Sequence, residues 1–222
     1  MDNRVRPEPG LSCERLVFFT DALFAIAMTL LAVELERPGA DELSSARGLG
    51  RFLLDQRGSY VAFALAFCLL WSVWRRHHKL MDEVVVLSKW FVGWHAPFLL
   101  LVAFLPFPTA VMGASITNPL AQSLFASTMA AMVWCEAVIK EVAAGAGLVE
   151  GDPTRIRRHA DGSWAVGAWF LLSAGLAWLV PYAFVMWFIA PLAATTGGAL
   201  LGRLRTPHPD RPEPPTPDTG KP

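Results

Sequence analysis

Apolar residues run along this chain in long blocks instead of alternating with polar ones. Six blocks approach the roughly 20 residues that a helix needs to cross about 30 Å of hydrocarbon. The first, 16–35, is interrupted only by Thr20, Asp21, Thr29 and Glu34. The second, 60–74, is shorter; it follows Gly58 and Ser59 and ends on Trp71, Trp74, Arg75 and Arg76. Such an aromatic and basic end anchors a helix at the membrane interface. The third, 89–107, should stop at Pro106-Phe107-Pro108, because proline lacks an N–H donor and biases the residue before it away from helix. The fourth, 119–139, begins after Asn118 with proline in its first turn, a common helix start. Pro181 separates the fifth block, 163–180, from the sixth, 182–201, and their combined length favours a tight hairpin over one kinked helix.

Composition agrees with a bilayer as the solvent. Of 222 residues, 54% are hydrophobic and 17% charged, against about 25% charged in soluble domains. The 19 basic and 19 acidic residues cancel, which leaves no bulk positive charge to hold nucleic acid. Cys13, Cys68 and Cys135 lie far apart without metal-ligand spacing, so neither a disulfide framework nor a zinc site is expected. The fold class is therefore an all-α membrane protein with six transmembrane helices over 15–205. Residues 1–14 form a short segment with acids and prolines and no signal-peptide pattern. Residues 206–222 form a proline-rich tail expected to be disordered.

Loop charges give the six helices a direction. One side collects Arg4, Arg6 and Arg15, then Arg75, Arg76, Lys79 and Lys89, then Lys140, Arg155, Arg157 and Arg158, and finally Arg203, Arg205, Arg211 and Lys221. The other side holds only Arg37, Arg47, Arg51 and Arg57. By the positive-inside rule both termini are cytoplasmic in a multi-pass protein of the plasma membrane.

Polar groups inside spans are costly and mark function by default. The first span concentrates them. At 100° per residue, Ile26, Thr29, Leu30 and Val33 share one face, while Asp21 looks elsewhere with Ala25 and Met28. Asp21 is thus placed to pair within the subunit, with Arg15, His77, Trp94 or His95 as candidate donors and Thr20 as a further member. The apolar stripe is left to face something else.

The run Arg15 to Leu31, R-x-x-x-F-T-D-x-x-F-A-I-A-x-T-L-L, resembles the R-x-x-x-F-S-D signature that opens the first helix of the transmembrane protein 175 family, the endosomal and lysosomal potassium channels and their prokaryotic relatives. The likeness continues through Trp74 to His78 and Pro106-Phe107-Pro108-Thr109, with Thr20 standing where the family usually has serine. The resemblance implies a potassium-selective channel built as a homotetramer, with the first helices lining a central pore and no TVGYG filter. It assigns the constriction to Ile26, Leu30 and Val33 with Thr29 as the adjacent hydroxyl. It also implies a structural polar network of Arg15, Phe19, Thr20, Asp21 and His77. Its partners are potassium ions, the bilayer and further copies of the chain, with no cofactor and no resident metal.

Other functions leave weaker marks. A proton-coupled transporter would use Asp21 with His77 or His95, but the two halves show no internal repeat of the kind such proteins often carry. An enzyme would need a nucleophile-base pair or metal cluster, and no HExxH or GxSxG is present. Arg155, Arg157, Arg158 and His159 form a basic cluster that reads as a solvated loop or a contact with anionic lipid. Glu136 and Lys140 read as a structural i,i+4 pair. Trp164, Trp169, Trp178 and Trp187 read as interfacial or packing residues.

Overall fold

Ser12 opens the first helix, its hydroxyl accepting the Arg15 N–H at 3.3 Å with Glu14 in the first turn, an arrangement that satisfies an orphan donor and suits the helix dipole. The computed structural model describes residues 12–190, 196 and 198–202. The proline-rich tail and most of the N-terminal segment lie outside the described residues. Helix α1 (Cys13–Val33) buries Leu16, Thr20, Phe24, Ala27 and Leu31, spaced three or four apart as one helical face requires.

The connection after α1 contains two short helices, α2 (Ala40–Leu43) and α3 (Ala46–Asp55), the second capped by the Ser45 hydroxyl on the Gly48 N–H at 3.0 Å. Helix α4 (Arg57–Met81) is longer at both ends than its apolar block. The third block departs from expectation at its prolines. Helix α5 (Lys89–Phe104) hands over directly to α6 (Pro106–Ala114) instead of ending there. Pro106 occupies the first turn of α6, where no N–H is needed, and the Thr109 N–H and hydroxyl both bond the Leu105 carbonyl, at 3.2 and 2.8 Å. Pro97 sits inside α5 without ending it.

Asn118 caps α7 (Pro119–Gly145), its Oδ1 accepting from Leu120 and Ala121. Helix α8 (Pro153–Leu176) starts ten residues before the fifth apolar block, because Asp152 and Pro153 supply a cap and a first-turn proline. The chain then turns and runs into a 3-10 segment (Ala183–Ile189). Trp187 donates to the Ser173 hydroxyl at 2.7 Å and Trp169 to the Met186 carbonyl at 2.9 Å, so this segment folds back on α8 as a hairpin does. Part of the sixth block, 191–195 and 197, lies outside the described residues. Among the described residues four helical units are long and apolar enough to cross a membrane: α1, α4, α5 with α6, and α7.

The helices alternate in direction, and their ends are tied differently. At the end where α4 and α7 finish and α5 and α8 begin, the two loops are joined by main chain. Val85 N–H bonds the Leu148 carbonyl at 2.9 Å and Glu150 N–H bonds the Glu83 carbonyl at 2.8 Å, around an antiparallel bridge between Val84 and Val149. The Cys13 thiol donates to the Val84 carbonyl at 3.4 Å, and Arg155 meets Glu83 at 2.7 Å. At the opposite end, Gly58 and Gly113 let α4 and α6 approach until a Cβ on Gly58 would lie 2.8 Å from the Gly113 carbonyl oxygen. Helices α7 and α8 make the most extensive pairing, with the Trp134 indole lying over Gly167, where any Cβ would overlap it. Phe125 stacks on Trp187 at 4.7 Å between ring centroids.

Candidate functional site: the two faces of the first helix

The face of α1 that turns away from the bundle carries Phe19, Ile26, Thr29, Leu30 and Val33. Ile26 is 54% exposed, Leu30 40% and Val33 60%, while Phe24 and Leu31 on the opposite face are 1% exposed. One face of a single helix is therefore committed to the subunit core and the other is left exposed among the described residues. The Thr29 hydroxyl donates to the Ile26 carbonyl at 2.8 Å. Its one O–H is thereby used, and its lone pairs stay outward as acceptors.

Asp21 sits beside this stripe on the flank that meets α4. The Trp74 indole donates to its Oδ1 at 2.8 Å, and His78 Nδ1 lies 3.6 Å from the same oxygen. Trp74 and His78 are themselves in ring contact, 5.3 Å between centroids. The carboxylate thus ties α1 to α4, by a different pair of residues from the expected one. None of the candidate donors Arg15, His77, Trp94 and His95 contacts Asp21 among the described hydrogen bonds. Arg15 is exposed and Phe19 is 60% exposed, because at 100° per residue both fall on the side of the stripe. His77 is one residue, and about 100° of turn, away from His78, which directs it inward.

His77, on α4, is buried against two side chains of α5, edge-on to His95 at 5.1 Å and beside Phe98 at 4.9 Å between centroids. His95 Nδ1 is 2.8 Å from the Phe91 carbonyl. Thr20 is buried too, and neither its hydroxyl nor the His77 ring nitrogens make a hydrogen bond to another described residue. Thr20 and His77 therefore belong to the core layer beneath α1 and not to the Asp21 contact.

A second polar group is centred on α7. Lys140 Nζ donates to Glu136 Oε1 at 2.8 Å and to the Ser163 hydroxyl at 2.8 Å, and Arg76 reaches Glu136 Oε2 at 3.5 Å. The i,i+4 spacing made the pair legible, but its complete burial and its tie to α4 and α8 were not. Trp74 and His78 carried a weaker signal: one polar edge each, one turn apart, on the face of α4 that follows its buried residues.

Residues 15–106 match the family model described as endosomal/lysosomal potassium channel TMEM175. A potassium channel of Chamaesiphon minutus is 35% identical over 108 residues, 49% of this chain and 53% of that protein. A potassium channel of Streptomyces collinus is 30% identical over 122 residues, 53% of this chain and 58% of that protein. The aligned part thus spans somewhat over half the length of each relative. The crystal structure of a lysosomal potassium-selective channel TMEM175 homologue from Chamaesiphon minutus superimposes with a TM-score of 0.71 at 25% identity, covering 86% of this chain and 97% of that one. A variant of the potassium channel MtTMEM175, solved with a nanobody-MBP fusion protein, shares the fold, with a TM-score of 0.56 at 13% identity and coverage of 92% and 97%. The likeness read from the first helix is thus found in sequence and in fold, and the chain is a multi-pass membrane protein.

Proposed function

We propose that this chain, a relative of the TMEM175 family through residues 15–106, is one subunit of a potassium-selective channel whose pore is lined by α1. The observation that carries the reading is the apolar face of α1 left exposed among the described residues, with Ile26 54% and Val33 60% exposed on a helix whose other face is buried. One stripe cannot enclose a pore, so the assembly is a symmetric oligomer, a homotetramer by analogy with the family. Each subunit crosses the plasma membrane six times with both termini cytoplasmic. The alternating helices and the basic residues gathered at one end support that arrangement.

In this assembly Ile26, Leu30 and Val33 form successive apolar rings. A ring of four isoleucines offers an ion no ligand and closes the pore by dewetting. When it widens, an ion sheds part of its hydration there, which is easier for K⁺ than for the more tightly hydrated Na⁺. The outward lone pairs of Thr29 supply partial coordination next to the ring. No TVGYG sequence provides a carbonyl filter, so the discrimination is weaker than in a multi-site carbonyl pore. Asp21, held by Trp74, sets the rotation of α1 and with it the aim of the stripe.

The test is the reversal potential of purified protein in a bilayer with K⁺ on one side and Na⁺ on the other. The reading expects a shift toward the K⁺ equilibrium potential, and Ile26→Asn should raise conductance and erode that shift. Absence of current, or an Ile26→Asn pore indistinguishable from wild type, sinks it.

A further inference from the structure

A cavity of about 1530 Å³ opens at the end of the bundle where α4 and α7 finish and α8 begins. Its walls carry six basic side chains, Arg76, Lys79, Lys140, Arg155, Arg157 and Arg158. Three acids share the lining, Glu83, Glu141 and the buried Asp161, half as many as the basic side chains. Glu83 is taken by Arg155 at 2.7 Å, and Glu136, beneath the floor, is shared by Lys140 and Arg76. Glu141 accepts the Trp164 indole N–H at 2.9 Å. Lys79, Arg157 and Arg158 have no carboxylate at ion-pair distance among the described residues.

The floor is built of buried polar groups. Lys140 and Ser163 are 3% and 4% exposed, and the Lys140 ammonium places two donors, on Glu136 and Ser163. An ammonium has three donors, so one N–H is left over beyond these two bonds in a side chain that lines the cavity. Above it, α8 changes within a few residues from Arg155, Arg157 and Arg158 to Trp164 and an apolar run. That change sets the cavity at the height of a membrane's polar boundary, where indoles collect. Guanidinium forks and an ammonium around one space match the oxygens of a phosphate, and basic pockets between membrane helices take phosphate headgroups.

We propose that this cavity binds a phosphate group, carried by an anionic lipid headgroup or by a soluble phosphate, with Arg157 and Arg158 as the rim, Lys79 opposite, and Lys140 with Ser163 at the floor. The surroundings of His159, which lines the same cavity, are in keeping with this: partial burial first, then the charges of Lys140 and Arg155, hold its imidazole below its ordinary pKa of 6.5. An anion seated in the cavity offsets those charges and raises it. The site does not depend on ion conduction.

The experiment uses the full chain in detergent, exposed in turn to phosphatidylglycerol, phosphatidylcholine and inorganic phosphate, with bound lipid read by native mass spectrometry and the His159 pKa by NMR. Wild type should retain phosphatidylglycerol over phosphatidylcholine about fivefold or more, the effect of roughly one basic residue near a charged surface. Arg157→Gln with Arg158→Gln should abolish the preference, since both side chains are exposed and their loss leaves the fold intact. A rise in the His159 pKa with inorganic phosphate alone assigns the site to a soluble phosphate. A rise only with phosphatidylglycerol assigns it to the headgroup. Equal retention of the two lipids together with an unmoved His159, or retention unchanged in the double variant, overturns the proposal. Lys79→Gln, a single rim charge, should weaken retention in the same direction.

Discussion

The Trp74 indole donates to Asp21 Oδ1 at 2.8 Å and thereby fixes the rotation of α1 about its own axis against α4. Rotation is the degree of freedom that matters, since a turn of 100° is the whole difference between a residue that faces outward and its neighbour that faces the core. Replacing Asp21 by Ala leaves an indole N–H without its acceptor and should cost about 1–3 kcal/mol. Asp21→Asn keeps a carbonyl oxygen at that place and should cost less. In a double-mutant cycle with Trp74→Phe, measured by thermal unfolding in detergent, a coupling of about 1 kcal/mol is expected. Strict additivity of the two changes would show that the contact holds nothing.

The approach of α7 and α8 depends on the absence of a side chain at Gly167. Gly167→Ala places a methyl group inside the Trp134 indole, and overpacking of this kind costs about 1–3 kcal/mol. The indole also donates to the Trp164 carbonyl at 3.2 Å, so it cannot swing aside freely. Trp134→Leu in the Gly167→Ala background should recover part of the loss in melting temperature. A Gly167→Ala protein with wild-type melting would refute the contact.

Glu136 and Lys140 are buried together, so removing either alone strands a charge. Glu136→Gln or Lys140→Met should each destabilise by about 3–5 kcal/mol, whereas Glu136→Leu with Lys140→Met should be far milder. Arg76, the third member, has a side chain 40% exposed and can turn to solvent. Size-exclusion profiles and unfolding midpoints of the three variants decide this: a double variant as damaged as the worse single one would contradict the account.

Asp152 links the first turn of α8 to pH. Its carboxylate is held below the ordinary 3.8, first by the Thr154 hydroxyl at 2.7 Å and then by the Thr154 N–H. A carboxyl whose folded pKa is depressed stabilises the fold fully above its unfolded value and loses that contribution as pH falls through the folded value. The first turn of α8 should therefore loosen below about pH 4, and Asp152→Ala should show the same loosening at neutral pH. Amide exchange of residues 154–156 measures both. Exchange that is flat across this range in the wild type would rule the cap out.

The outward stripe of α1 was legible because one helix with a period of 3.6 sorts its own faces. The partner of Asp21 was not, because the mutual rotation of two helices is a property of their packing and no single periodicity contains it. His77 and His78 are adjacent in sequence, yet one lies in the core beside His95 and the other beside Asp21. Pro106, expected to end a helix, is the first residue of α6, and Asp152-Pro153 starts α8 well ahead of the apolar block that marks its span. Apolar blocks report where hydrocarbon begins, whereas helices begin where their first N–H groups are satisfied.

The clasp between residues 83–85 and 148–150 is made of amide protons and carbonyl oxygens. Any residue with an N–H can serve at 85 and at 150; only proline cannot. These two loops are thus free to drift in sequence while continuing to hold α7 and α8 against α4 and α5. Two relatives with no residue in common at these positions would keep the same joint.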